Sequence, residues 1–301
     1  MATQVGTIRS VARVIHGIHQ TEGGGFVVRR TFPGPDLSMI DPFLLLDEMG
    51  PADYGPGEAV GALDHPHRGF ETVTYMLEGT FHHRDSMGTE GWLHPGAVQW
   101  MTAGAGIVHS EMPSDEIIEK GGRVHGFQLW VNLPAADKMK RPRYQEYPAE
   151  QVPTAVSDDG KVWVRVIAGE ALDARAIIET HSPIQYLHYV LEPGASVNHA
   201  VPESHNAFAY VVKGKGRFGK DGREGVEGDN MAFARNGDTV AIANSGTEPL
   251  SLLLLSGVPL NEPVARYGPF VMNTKEEIYQ AIEDFKAGRM GRIDPEVFKS
   301  R

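Results

Sequence analysis

Two short segments carry residue types that bind metal ions. His65-Pro66-His67 and His109-Ser110-Glu111 each place two such side chains two positions apart. In an extended strand residues i and i+2 project to the same face, so His65 and His67 point together, and so do His109 and Glu111. Two neighbouring strands with such pairs converge three imidazoles and one carboxylate on a point, and a barrel interior is the natural place for it. Neutral imidazole nitrogen and carboxylate oxygen suit a first-row dication such as Fe, Mn, Ni, Cu or Zn. If the ion prefers six ligands, two positions stay open for water or substrate, the mark of a catalytic rather than a structural site. One His-x-His is a weak signal, because isolated histidines are more often surface or hydrogen-bonded core residues. Two in-phase pairs are a much stronger one.

The surrounding sequence reads as strands. Glycine (35) and proline (20) are abundant and the apolar runs are short. Runs at 72–77, 125–131, 184–191, 207–212 and 250–255 end at Glu78-Gly79, Asn132-Leu133-Pro134, Glu192-Pro193-Gly194, Lys213-Gly214 and Ser256-Gly257. Short β-rich runs between glycine turns predict antiparallel sandwiches or barrels. A coarse repeat pairs 75–81 with 210–216 and 93–100 with 225–233, as two copies of one barrel require. The polar, proline-containing stretch 134–153 is the expected linker, giving domains at 1–140 and 141–301. One helix is expected near the end: Thr274-Lys275-Glu276-Glu277 is a capping box, Ile278, Ile282 and Phe285 share a face, and Gly288 ends it. That face is expected to pack on a barrel.

Composition excludes several functions. Cysteine is absent from the 301 residues, so disulfides, thiolate metal sites and cysteine nucleophiles are ruled out. A net charge of −11 argues against direct nucleic-acid binding. The one basic group, Lys138, Lys140, Arg141 and Arg143, reads as a solvated loop. The N-terminal segment has no apolar core of a signal peptide, and no run approaches the roughly 20 apolar residues of a membrane span. A soluble cytoplasmic monomer with no membrane contact is the expectation. Gly214-Lys215-Gly216-Arg217-Phe218-Gly219 matches dinucleotide-loop spacing but lies between strands with no helix after it. There is no Gly-x-Ser-x-Gly elbow.

The segments 64–75, His83-Arg84-Asp85-Ser86, 101–111 and 127–134 together closely resemble the pirin family. His65-Pro66-His67-Arg68-Gly69-Phe70-Glu71-Thr72, closing at Glu78-Gly79, resembles the first cupin motif, and the stretch from Pro95-Gly96 to His109 a variant of the second. The resemblance is strongest over about 10–135 and weaker beyond. It implies an all-β chain of two cupin barrels (double-stranded β-helix, jelly-roll) in tandem, with a short C-terminal helix. It also implies one iron, Fe(2+), per chain in the N-terminal barrel, on His65, His67, His109 and Glu111. Glu71 is the rival carboxylate. Germin-like cupins use a Glu after the His pair, but counting back from Gly79 puts that position at Thr72, and the Arg68-Gly69 break disturbs the phase from His67. Glu111 is therefore the expected ligand, and Glu71 is expected beside the ligands or as a structural ion-pair partner of Arg68. Either carboxylate is a candidate general base.

The resemblance further implies quercetin 2,3-dioxygenase activity, in which a flavonol-like aromatic substrate is ring-opened by dioxygen with release of carbon monoxide. The alternative is a metal- and redox-dependent regulator with a protein partner, either a transcription factor or a metabolic enzyme. A plain sugar- or small-acid-binding cupin, such as an isomerase, is a third reading. The second barrel is expected to be metal-free: His199 and His205 are six apart, Ala234-Arg235-Asn236-Gly237-Asp238 stands where a ligand would be, and His188 reads as a satisfied core residue. His82 and His83 face opposite ways, one toward the pocket. His125 is a candidate outer hydrogen-bond donor to the ligands. Phe70, Trp100, Met101 and Gln128 are candidate pocket walls.

Overall fold

The structure is a computed structural model and describes residues 6–22, 24–35 and 37–298. Half of the N-terminal decapeptide read for a leader lies outside the described residues. The chain forms two compact units. One comprises Met1–Ile18, Thr31–Pro42 and Val152–Pro259; the other comprises His19–Arg30, Phe43–Gln151 and Leu260–Arg301. Each unit is thus assembled from non-contiguous segments, where the sequence suggests a single cut at 140/141.

Both units repeat one antiparallel plan, a seven-stranded sheet and a four-stranded sheet. In the unit with the candidate ligands, the large sheet runs Arg143–Tyr147, Val98–Thr102, Phe70–Glu78, Gly122–Asn132, Phe43–Tyr54, Phe26–Phe32, Ile18–Glu22. Its small sheet runs Ala62–His67, Ile107–Pro113, Phe81–Asp85, Glu90–Leu93. In the other unit the equivalents of Phe70–Glu78 and Val98–Thr102 are Asn206–Lys213 and Asp229–Phe233, the strands that the internal repeat pairs. The two-barrel, all-β architecture follows the repeat directly.

The helix Lys275–Lys286 begins as read. The Thr274 hydroxyl accepts from the Glu277 backbone N–H at 3.2 Å, and the Glu277 carboxylate accepts from the Thr274 N–H at 2.9 Å. Gly288, at φ +74°, follows the helix end. Its inward face is Ile278, Ala281 and partly buried Ile282, while Phe285 is 40% exposed and only touches Phe270 at 6.4 Å. This face packs with Phe270, Met272, Met290 and Val108. Val108 belongs to the strand that carries His109, so the helix backs the ligand strand from outside. Arg68 ties the helix down by donating to Asp284 at 2.7 Å and to the Ala105 carbonyl at 2.7 Å. Among the described residues no helix is long and apolar enough to cross a membrane.

Candidate metal centre

Two neighbouring strands present the histidines. Ala62–His67 pairs antiparallel with Ile107–Pro113, with His65 opposite His109 and His67 opposite Ile107. His65, His67 and His109 meet with ring centroids 4.4–5.0 Å apart. One nitrogen from each lies within 4.8 Å of the others. The turn that ends the first strand requires glycine. Gly69 sits at φ +88°, and a Cβ there would lie 2.0 Å from the Val271 carbonyl oxygen. Its N–H donates to the Gly104 carbonyl at 2.8 Å, joining the turn below His67 to the turn before His109.

The environment keeps His67 and His109 neutral. His109 is 0% exposed and His67 is 3% exposed. Burial, reinforced by the neighbouring histidines, pushes both well below the usual imidazole range. Neutral imidazole is the ligating form. His65 donates from Nδ1 to the Leu63 carbonyl at 2.7 Å, which makes Nε2 the nitrogen turned toward the cluster. That Nε2 faces His67 Nε2 at 3.1 Å. Both nitrogens of His109 are buried without a hydrogen-bond partner. A buried imidazole left without any partner is costly in a bare protein. A shared cation relieves that cost, so the donor set fits a first-row dication.

The two carboxylates part company. Glu111 Oε2 lies 3.9 Å from His109 Nε2, although Glu111 is outside the group of mutually close donors. A register irregularity between His109 and Glu111 interrupts the pairing with the His65 strand. Gln128 donates to Glu111 Oε2 at 3.1 Å, and the Thr74 hydroxyl lies 2.9 Å from Glu111 Oε1. Thr74 also lies 2.7 Å from Gln128 Oε1, and its single proton goes to one of the two. Glu71 shares the strand Phe70–Glu78 with Thr74 but is three positions away, so alternation sends it to the opposite face. It is 1% exposed and accepts from the Thr102 hydroxyl at 2.7 Å. The structure does not bring Glu71 to the histidines, and Arg68 pairs with Asp284 rather than with Glu71.

A cavity of about 650 Å³ opens beside the cluster, lined among others by His65, His67, Gln128, Trp130, Leu45, Asp47, Arg30 and Arg266. Trp130 is 5.3 Å from the His67 ring and 4.3 Å from Phe70, and the Arg266 guanidinium lies 4.8 Å over its ring. Arg30 forks onto Asp47 and also pairs with Glu22 at 2.8 Å. Burial raises the Asp47 carboxyl to about 6 despite that partner. Trp130 was not among the walls expected from the sequence, although it is the i+2 neighbour of Gln128 on one strand. Arg30, Asp47 and Arg266 come from distant segments and carry no local signal.

The Pirin family model matches residues 25–131, and the Pirin C-terminal cupin domain matches residues 186–291. The chain is 44% identical to a pirin-like protein from Solanum lycopersicum, over 94% of this chain and 93% of that one. The chain belongs to the pirin family. Human pirin (Homo sapiens) is 42% identical over 99% of both chains. Among solved structures, quercetin 2,3-dioxygenase from Acinetobacter baumannii superimposes with a TM-score of 0.89 at 38% identity, covering 96% of this chain and 100% of that one.

The remaining histidines of this pirin have other duties. His83 is 1% exposed, sits opposite Glu111 in the strand pairing and meets Glu146 at 2.7 Å. His82 faces outward, stacked on Trp92 at 4.5 Å and paired with Glu90 at 2.8 Å. His125 meets Glu48 at 2.9 Å, with no contact to the three histidines. Met101 packs in a small cluster with Ala103 and Ile107, and fully buried Trp100 does not line the cavity, so neither is a wall. In the second barrel Leu187, Ala209, Val211, Met231, Val240 and Leu252 fill one continuous apolar core. His188 meets the Ser251 hydroxyl at 2.8 Å, and His199 meets the Tyr189 hydroxyl at 2.9 Å. Lys138 overturns the solvated-loop reading. It is 1% exposed and its ammonium donates to Gly69 O at 2.7 Å, Asn132 Oδ1 at 2.7 Å and Val271 O at 3.1 Å. Three acceptors converge there, which no local pattern in the sequence announces.

Proposed function

We propose that this pirin is a non-haem dioxygenase that opens the ring of a flavonol such as quercetin, with one Fe(2+) on His65, His67, His109 and Glu111. The observation that carries the reading is the three-histidine cluster, with His67 and His109 buried and held neutral, opening on a cavity of about 650 Å³ lined by Trp130. Three imidazoles and a carboxylate with open positions suit non-haem iron, although affinity alone favours copper, nickel and zinc. The likeness to quercetin 2,3-dioxygenase supports the substrate class. When bound, the ion supplies Lewis acidity toward the substrate's adjacent hydroxyl and carbonyl oxygens and redox reach toward dioxygen.

The chain's own groups do the rest. Trp130 gives the flavonol an aromatic wall next to His67, and Phe70, expected from the sequence as a wall, is fully buried behind it instead of lining the cavity. Glu111 Oε2 takes the proton of the substrate hydroxyl, held in place by Gln128 and Thr74. The deprotonated ring is the electron-rich form that dioxygen attacks. Leu45 and Trp130 line the cavity beside the histidines and give the anion apolar surroundings on that side.

The test is oxygen uptake by iron-loaded protein with quercetin, with carbon monoxide released in step. His67→Ala is expected to lower the rate at least about 100-fold. Absence of uptake, or uptake that survives His67→Ala, overturns the reading and leaves the regulatory role to be sought by redox-dependent copurification of a protein partner.

A further inference from the structure

The two arginines that line the cavity are in different electrostatic states. Arg30 is neutralised where it stands, shared between Asp47 and Glu22. Arg266 has no Asp or Glu oxygen within ion-pair distance among the described residues. Its one hydrogen bond there is from Nη1 to the Leu44 carbonyl at 3.1 Å. A guanidinium has five N–H donors, so most of its fork carries no protein partner among the described residues, and the side chain lines the cavity with Asp47 and Glu22 as charged neighbours that do not reach ion-pair distance. It is nevertheless held in place, by that carbonyl and by the Trp130 ring 4.8 Å below it. Its strand, Ala265–Tyr267, pairs with Phe270–Met272, whose Phe270 and Met272 are packed under the C-terminal helix. Trp130 links the two ends of the cavity, with His67 at its edge at 5.3 Å and Arg266 over its ring.

We propose that Arg266 is a specificity-determining residue that selects aromatic substrates bearing an oxyanion, which seats on the free guanidinium fork while the rest of the ring system reaches along Trp130 to the histidines. A planar fork set over an aromatic ring receives a carboxylate with two parallel hydrogen bonds, and an uncharged ester forgoes the charge-assisted pair. This inference rests on reading the cavity as the substrate pocket. It is tested by binding to metal-free protein, so its failure and a failure of dioxygenase turnover are separate results.

The experiment titrates full-length metal-free protein with flavone-8-carboxylate and with its methyl ester, following tryptophan fluorescence. Wild type is expected to bind the acid about tenfold or more tighter than the ester. In Arg266→Gln the acid weakens about tenfold while the ester stays within about twofold, its retained binding showing that the pocket is still folded. Equal binding of acid and ester by wild type overturns the proposal. So does unchanged acid affinity in Arg266→Gln, or a parallel loss of both ligands.

Discussion

Replacing His109 by leucine separates the cost of the site from its use. The imidazole of His109 is 0% exposed and both its nitrogens lack a partner. Each unsatisfied buried polar atom costs about 1–3 kcal/mol. A leucine of similar bulk removes both penalties and introduces a misfit of roughly 1 kcal/mol. His109→Leu is therefore expected to stabilise the metal-free protein by about 1–5 kcal/mol, read as a rise in the urea midpoint. Metal acts in the opposite direction and narrows or reverses the order. At a free ion concentration about 100 times Kd, wild type gains about 2.7 kcal/mol and the variant gains almost none. Trp92, Trp100 and Trp130 lie in the unit that holds the site, so fluorescence-detected urea unfolding with and without Fe(2+) or Mn(2+) reads both effects. Acid adds a third. Because folding holds His109 well below its ordinary value of 6.5, the unfolded chain binds the extra proton, and stability falls as pH drops below 6.5. That slope, about 1.4 kcal/mol per pH unit for this residue, disappears in the leucine variant. A metal-free His109→Leu protein less stable than wild type by more than about 1 kcal/mol refutes the reasoning, since the nitrogens would then be contributing to the bare fold.

The rival carboxylates separate by metal titration: Glu111→Gln is expected to weaken Mn(2+) binding about 10–100-fold, and Glu71→Gln to leave it within about twofold, as read by calorimetry. Gly69→Ala forces a Cβ to 2.0 Å from the Val271 carbonyl at a positive φ, and thermal unfolding should show a loss of about 3 kcal/mol or more. Lys138→Met strands three buried acceptors and is expected to destabilise by about 3–5 kcal/mol in urea unfolding, with an unchanged melt counting against the buried ammonium. In the second barrel, burial lowers His199 to about 4, so its share of stability is lost as pH falls from 6.5 toward 4. His199→Phe should shift the midpoint of acid unfolding to lower pH.

What the sequence determined by itself is what short-range geometry controls. Two residues apart on a strand means one face, and that alone places His65 beside His67, while the pairing of their strand with Ile107–Pro113 brings His109 opposite. Thr274 and Glu277 define the start of the last helix for the same reason, since a capping box is closed within four residues. The repeat at 75–81 and 210–216 announces two barrels because each copy encodes its own turn. The tertiary structure decided the rest. Glu111 lies at the margin of the histidine cluster because a register irregularity intervenes after His109, and register depends on the partner strand. Glu71 turns away because strand alternation counts from Thr74, whose side the barrel closure chose. Arg30, Asp47 and Arg266 share one cavity, although they lie in widely separated segments and no local spacing joins them. Lys138 is buried because a loop, a strand end and the returning tail each aim an oxygen at it. Residue spacing determined which side chains can act together, and chain closure over long sequence distances determined what surrounds them and what they are free to bind.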